Sequence, residues 1–356
     1  MVDPVLGNWL DAHAHGLDLG SDDPESVLPQ LARSGALRTG IGREDGGSGG
    51  TLADAVETVA AIARHSVTAA FVFWGQRAFI EYLLHSPNVR LRERLLPELL
   101  DGTLAGATGL SNAMKFLSGI ESLQVRGAEG AEGWSLDGRL HWVTNLRKQR
   151  FVVAAAIESE AGGKPFIMAI PSTADGLRRS DDLQLMGLQS SNTAALDFDR
   201  VELSRDWLLH HDARQFLPSV RPGFLGLQCG LSIGLARRSL DEVQRHLEGT
   251  RSVLNDEYHE QRQRLESVVG DLEAGLLDGR FLTQAASLFR LRIALAQSVS
   301  SAVQLELQAS GGKAFLSEHG SGFARRWRES AFIPIVTPSL VQLQAELQRQ
   351  ARESAA

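Results

Sequence analysis

Two histidines one residue apart, in Asp11-Ala-His-Ala-His15, are the first residues whose types and spacing suggest chemistry. On a strand, such a pair can offer two imidazoles to one metal. A metallohydrolase built that way also needs further His and Asp ligands spread over repeating βα units, and no such units follow. The stretch is rich in turn residues, which favours a solvated turn over a metal site. His210-His211-Asp212 reads the same way, as a solvated loop. The run Gly46-Gly-Ser-Gly-Gly50 has the bare backbone N–H groups that cradle phosphates. It lacks both a preceding buried strand and a following Lys-Ser/Thr, so a tight turn is the better reading. The pattern G-x-S-x-G occurs at 46–50 and 230–234, but neither follows a buried strand, as the elbow that activates a serine must, so nucleophilic serine catalysis is unsupported. Arg325, Arg326 and Arg328, around Trp327, form either a solvated helix face or a site for an anion such as phosphate.

The elements that must position any site fall into three textures. Up to about residue 102 the chain reads as short helices: apolar residues recur at three- and four-residue spacing near 24–34, 52–65 and 91–100. From about 103 to 215 the runs 150–157 and 164–171 are short, apolar and punctuated by Gly and Pro, and 194–203 alternates as a half-buried strand does. GAEGAEG at 127–133 is expected to be a short flexible turn. After Pro222 the chain becomes helical. Phe224, Leu227, Leu231, Leu235, Leu240 and Val243 share one face, and Phe281 to Leu307 repeat the pattern. A third helix lies between them, and long antiparallel helices of this kind form a bundle. The expected fold is therefore α+β: an N-terminal helical domain (1–102), a β-domain (103–215) and a C-terminal four-helix bundle (216–356).

With 356 residues, 43% of them hydrophobic, the chain can bury a core large enough for a sizeable cofactor. A net charge of −7 gives no reason to expect nucleic acid or an anionic membrane as partner. The lone Cys229 fits a reducing cytoplasm, and neither a signal peptide nor a membrane span is expected.

Several segments, in order along nearly the whole chain, resemble the acyl-CoA dehydrogenase family. His141-Trp-Val-Thr-Asn145 is similar to its W-[IV]-T-N, where the Trp packs on the flavin ring and the Thr contacts the ring's polar edge; Trp142 and Thr144 match. Ser111, in Gly106-Ala-Thr-Gly-Leu-Ser-Asn112, falls on a hydroxyl that donates to the flavin pyrimidine. The segment from Asp175 to Leu203 resembles the closing β-domain strands. Gln308-Ala-Ser-Gly-Gly-Lys-Ala-Phe315 is similar to Q-x-x-G-G-x-G-[YF], which implies that Gln308, Gly311 and Gly312 accommodate a dinucleotide from a neighbouring subunit. Arg251 matches an arginine that pairs with the FAD pyrophosphate, and Ser339 also falls among the cofactor-binding positions. The resemblance implies FAD, a homodimer or homotetramer, and oxidation of an acyl thioester, linked to CoA or to a carrier protein, at a CH–CH bond.

That reaction needs a base for the α-proton, which burial tunes in a carboxylate. In the family the Glu lies in R-D-A-…-I-Y-E-G-T. The matching stretch here runs from Arg328 to Ser339, with Thr337 at the base position. An alternative place on the first bundle helix is also empty, since residues 220–240 contain no Asp or Glu. Flavin-dependent monooxygenases of the same fold have a C-terminal W-R-N-A-R-x-H-…-H-D-P. Trp327, Arg328 and Pro338 fit that pattern, while its histidine positions read Ile333 and Val336. Three readings follow: an acyl-thioester dehydrogenase with an unassigned base, an oxygen-using flavin monooxygenase, and a non-catalytic flavin-binding or scaffold subunit.

Overall fold

Asp3 caps the first helix and Pro4 opens it, so α1 (Pro4–Leu19) begins almost at once and ends on left-handed Gly20. Its buried face carries Leu6, Leu10, Ala14 and Leu17. His13 and His15 thus lie on a helix, not in the expected turn. The computed structural model describes residues 2–355 except 111, 112, 114, 115 and 117–120. After α2 (Val27–Arg33), the glycine run 46–50 makes the expected turn, and a Thr51–Asp54 capping box starts α3 (Leu52–Ala63). Next come α4 (Val67–Leu84) and α5 (Val89–Leu100). Helix α4 is buried on nearly every face, so no polar stripe betrays its period in the sequence.

Eight strands follow: β1 (Ala105–Thr108), β2 (Val125–Glu129), β3 (Gly133–Val143), β4 (Phe151–Ser159), β5 (Phe166–Pro171), β6 (Leu177–Arg179), β7 (Ala194–Ser204) and β8 (Leu208–His210). They form one sheet in the order β6-β7-β3-β2-β4-β5-β8. Pairing is antiparallel except at β4, which takes β1 and β2 in parallel at successive positions along its length. The 127–133 segment is a correction to the sequence reading: Gly127 to Glu129 belong to β2 and Gly133 opens β3, so only its middle turns.

Helix α6 (Ala213–Gln244) starts nine residues before Pro222. Asp212, expected in a solvated loop, is its buried N-cap and accepts from Arg214 N and Gln215 N. Lys164 Nζ lies 2.8 Å from Asp212 and holds that carboxyl below the usual carboxylate range. His210 stacks on Phe216, and burial pulls its imidazole below the usual value. The remaining helices are α7 (Asn255–Leu277), α8 (Ala285–Ser310), α9 (Ser321–Phe332) and α10 (Leu340–Ala355). Helix α6 packs against α3, α4, α7 and α8, so the first and last helical regions share one core.

Glycines on α6 set that packing. A Cβ at Gly230 would lie 2.7 Å from Val56 O, and one at Gly234 would run into Ala60 O. Gly234→Ala should therefore lower stability by about 2–3 kcal/mol through overpacking, although alanine is the better helix former. Gly270→Ala, on α7 with open space around it, should gain up to about 1 kcal/mol. Urea unfolding of both variants checks the pair. Asp212→Ala should cost about 1–2 kcal/mol at neutral pH through loss of the cap. Because the folded carboxyl titrates low, its contribution is present above the ordinary carboxylate pKa and lost as pH falls through the depressed value. Unfolding curves at pH 7 and in the acid range should show the gap between wild type and variant close.

Candidate active-site cleft

The cleft is built outward from one buried amide. Gln76, on α4, donates through Nε2 to Leu99 O (2.8 Å) and Leu104 O (2.9 Å). Its Oε1 accepts from Gly106 N (2.6 Å) and Asn145 Nδ2 (2.9 Å). Asn145 also donates to Gly106 O (2.8 Å), and its own N–H reaches Ser191 O (3.0 Å). It sits at φ 63°, a left-handed conformation that asparagine tolerates better than most side chains. These bonds tie the end of β3 to α4, β1 and the 191–193 segment, and so fix Trp142 and Thr144. Thr144 Oγ1 lies 3.0 Å from Thr193 Oγ1, and Thr108 Oγ1 lies 2.8 Å from the Tyr82 hydroxyl, whose pKa burial pushes up.

Above this layer opens a cleft of about 400 Å³. Phe71, Trp74, Trp142 and Phe332 supply its aromatic surface, and Thr108, Thr144, Thr193 and Thr337 its hydroxyls. Trp142, Met186 and Ile335 line it while remaining 64%, 72% and 67% exposed. Three large apolar side chains left in water around one cleft mark a ligand surface. Together with the hydroxyls they fit a flat heteroaromatic ring with one polar edge, as a flavin has.

Arg328 is the one charged residue lining the cleft among the described residues. It is neutralised by Asp18, which is fully buried: Arg328 Nε donates to Asp18 Oδ2 (2.8 Å), and Asp18 Oδ1 accepts from Leu188 N (2.9 Å). Asp18 was not a sequence candidate. The available signal was a carboxylate four residues after Ala14, on the apolar face of α1. Arg325 pairs with Glu329 (2.8 Å), and Arg326 meets Glu306 through two nitrogens. The arginine cluster is therefore neither a solvated face nor an open anion site, because its guanidinia are spent on internal carboxylates. Glu329 also accepts from Val67 N (3.0 Å). Burial pushes its carboxyl above the usual range despite Arg325, and it does not line the cleft.

Trp142, Thr144 and Thr337 thus meet in one cleft. Arg251, Gln308, Gly311 and Gly312 lie elsewhere: Arg251 Nη2 is 3.5 Å from Ser310 O beside left-handed Gly311, while Gln308 and Gly312 are exposed. Ser339 caps α10, its N–H donating to Gln342 Oε1 and its Oγ accepting from Gln342 N. Ser111 lies outside the described residues. His13 pairs with Asp22 (2.7 Å) and Asp11 with His65 (2.8 Å). Among the described residues no group of three or more His, Cys, Asp or Glu is placed to hold a metal, and no helix is long and apolar enough to cross a membrane.

Residues 5–103 match the family model described as acyl-CoA dehydrogenase, N-terminal domain. The structure of butyryl-CoA dehydrogenase from Megasphaera elsdenii superposes with a TM-score of 0.84 at 15% identity, covering 98% of this chain and 95% of that one. The chain has the acyl-CoA dehydrogenase fold. Two curated relatives are each 24% identical. A probable acyl-CoA dehydrogenase of Mycobacterium leprae aligns over 64% of this chain and 60% of its own length. A probable FMNH2-dependent monooxygenase of Pseudomonas putida aligns over 63% and 55%. The chain thus spans less than two thirds of these relatives. Proteins similar to this chain include both dehydrogenases and monooxygenases, one of the latter named as FMNH2-dependent.

Replacing Gln76 by Leu should leave four buried groups, Leu99 O, Leu104 O, Gly106 N and Asn145 Nδ2, each short of a hydrogen bond at once. A loss of about 3–5 kcal/mol is expected, since each unsatisfied buried group costs roughly 1–3. Chemical denaturation measures it; a loss under about 1 kcal/mol would remove the amide from its place as the cleft's anchor.

Proposed function

We propose that the protein is a flavin-dependent oxidoreductase that uses reduced flavin and dioxygen to oxygenate a largely apolar substrate. One observation carries this reading: no carboxylate or imidazole lines the cleft among the described residues, and Thr337, which the sequence resemblance puts at the base position, lines it instead. The segment 111–120 contains no Asp, Glu or His either. A threonine hydroxyl is far too weak a base to take a carbon acid's proton at neutral pH. Dehydrogenation of an acyl thioester, the first implication of the family resemblance, is the second reading; the match to a probable acyl-CoA dehydrogenase favours it.

Oxygenation asks something else of the protein, and the cleft offers it. Phe71, Trp74 and Phe332 give the ring and an apolar substrate a wall, and Trp142 adds an exposed aromatic face at its edge. Thr144 and Thr108 offer hydroxyls to the polar edge, and Arg328, already neutralised by Asp18, adds no net charge. A reduced flavin bound there supplies the two electrons with which dioxygen is divided between substrate and water. We take the cofactor to be FAD, with its dinucleotide end against Arg251, Gln308, Gly311 and Gly312 of a second subunit in a homodimer or homotetramer. The juxtaposition of Arg251 and Gly311 supports this.

Equilibrium binding of oxidised and reduced FAD, and of FMN, comes first, and tighter binding of the reduced form is expected. Anaerobic addition of butyryl-, isovaleryl- or octanoyl-CoA should then leave bound oxidised flavin yellow. Thr337→Glu should allow bleaching, with an optimum above neutral pH because an apolar cleft raises a carboxylate's pKa. Bleaching of the unaltered protein by any of these thioesters would establish the dehydrogenase reading instead. Failure to bind flavin in either redox state would leave the scaffold-subunit reading.

A further inference from the structure

Behind the cleft wall formed by Ile335, Val336 and Thr337 lies a cation that no carboxylate among the described residues neutralises. Arg292, on α8, is fully buried. Its Nε donates to Gln228 Oε1 (3.1 Å) and its Nη2 to Ile333 O (2.7 Å), while Nη1 has no partner among the described residues. Gln228 in turn donates through Nε2 to Thr337 O (2.9 Å). The guanidinium therefore grips the cleft-lining segment at both ends, directly at Ile333 and through Gln228 at Thr337.

The other buried or half-buried arginines around the cleft have carboxylates: Arg328 has Asp18, Arg325 has Glu329, and Arg326 has Glu306. No described carboxylate lies within ion-pair distance of Arg292. Its ionisable neighbour is Cys229, whose thiol burial pushes up to about 12, so it stays neutral. Burial draws Arg292 below the ordinary arginine range as well, but a guanidinium keeps its proton in a protein. Burying an unpaired charge is expensive. A helix cap for Ile333 O would not need one, since a neutral donor could serve.

We infer that Arg292 is a positioning residue that makes the inner wall of the cleft electropositive at Thr337 and so prepares the cleft for a group that carries or gains negative charge. With Arg328 cancelled by Asp18, Arg292 is the uncompensated charge the cleft faces. In low-dielectric surroundings its field reaches across the Thr337 segment with little screening. The inference deepens the flavin reading, because reduced flavin at neutral pH is such a group. It does not need flavin to be tested.

The thiol introduced by Thr337→Cys, in a Cys229→Ala background, serves as a field probe. Its titration is followed by the pH dependence of iodoacetamide alkylation, first on flavin-free protein and then with FAD added. Apolar surroundings alone would raise the thiol above its ordinary pKa of about 8.5. The expected result is a value below that, with alkylation at pH 7 about tenfold faster than after the further change Arg292→Met. Arg292→Lys, which keeps the charge, should stay within about twofold of the parent, whereas a purely structural role predicts that Lys and Met behave alike. Gln228→Leu, which cuts the relay but not the charge, should preserve the low thiol pKa. A thiol titrating at or above the ordinary value in the parent overturns the inference even if Arg292→Met fails to fold. Failure of FAD to bind would bear on the cofactor alone.

Discussion

Everything that could act in this molecule hangs on a side-chain amide that has no exposure to water. Gln76 satisfies both hydrogens and its oxygen against four partners, Leu99, Leu104, Gly106 and Asn145, that lie 23 to 69 residues away, and Asn145 adds the fifth bond that closes the set. In a dry interior each such bond is strong because the alternative is an orphaned polar group. The geometry is also directional in a way that apolar packing is not. The end of β3 therefore cannot slide along α4 by a fraction of a residue, and Trp142 inherits that fixity although it stands mostly in solvent.

Charge around the cleft follows a related economy. Asp18, Glu329 and Glu306 each face one arginine of the α9 segment: Asp18 joins α1 to α9 and Glu306 joins α8 to α9, while Glu329 pairs with Arg325 within α9 and reaches α4 through Val67 N. Buried pairs of this kind add little net stability but tolerate few alternative arrangements. They hold α9 at a set height, so that Phe332 and the Ile335–Thr337 segment complete the cleft. What remains among the described residues after these cancellations is a chamber walled by rings and hydroxyls with the unpaired Arg292 behind it.

Much of this was readable beforehand, though unevenly. The strands at 150–157, 164–171 and 194–203 announced themselves because β-branched and apolar residues, punctuated by Gly and Pro, leave few other options. The long face of α6 did so through its leucines. Helix α4 did not, because a helix surrounded by protein has no polar side to set its period. Helix α1 was obscured by Asp, His and Gly residues that usually mark turns; its N-cap Asp3 followed by Pro4 was the signal to read. Of the site, Trp142, Thr144 and Thr337 came from resemblance. Gln76, Asp18 and Arg292 escaped because a polar residue at a core position is visible only once its distant partners are known. Arg326 and Arg328 escaped for the same reason in reverse, since their carboxylates, Glu306 and Asp18, lie elsewhere in the chain.

Gly230 and Gly234 let the backbone of α6 lie directly against α3, and that seam has a consequence for how the protein holds together. Trp74 Nε1 donates across to Phe224 O, Arg64 reaches Asp241, Arg237 reaches Glu57, and Glu329 caps Val67. The region that sequence comparison isolates, up to residue 103, is thus half of an interior whose other half is synthesised more than a hundred residues later. Until α6 emerges, α4 can pack on α1, α2, α5 and β1, but the faces of α3 and α4 that meet α6 have nothing to bury against. The boundary that marks ancestry is not one at which the polypeptide can come apart.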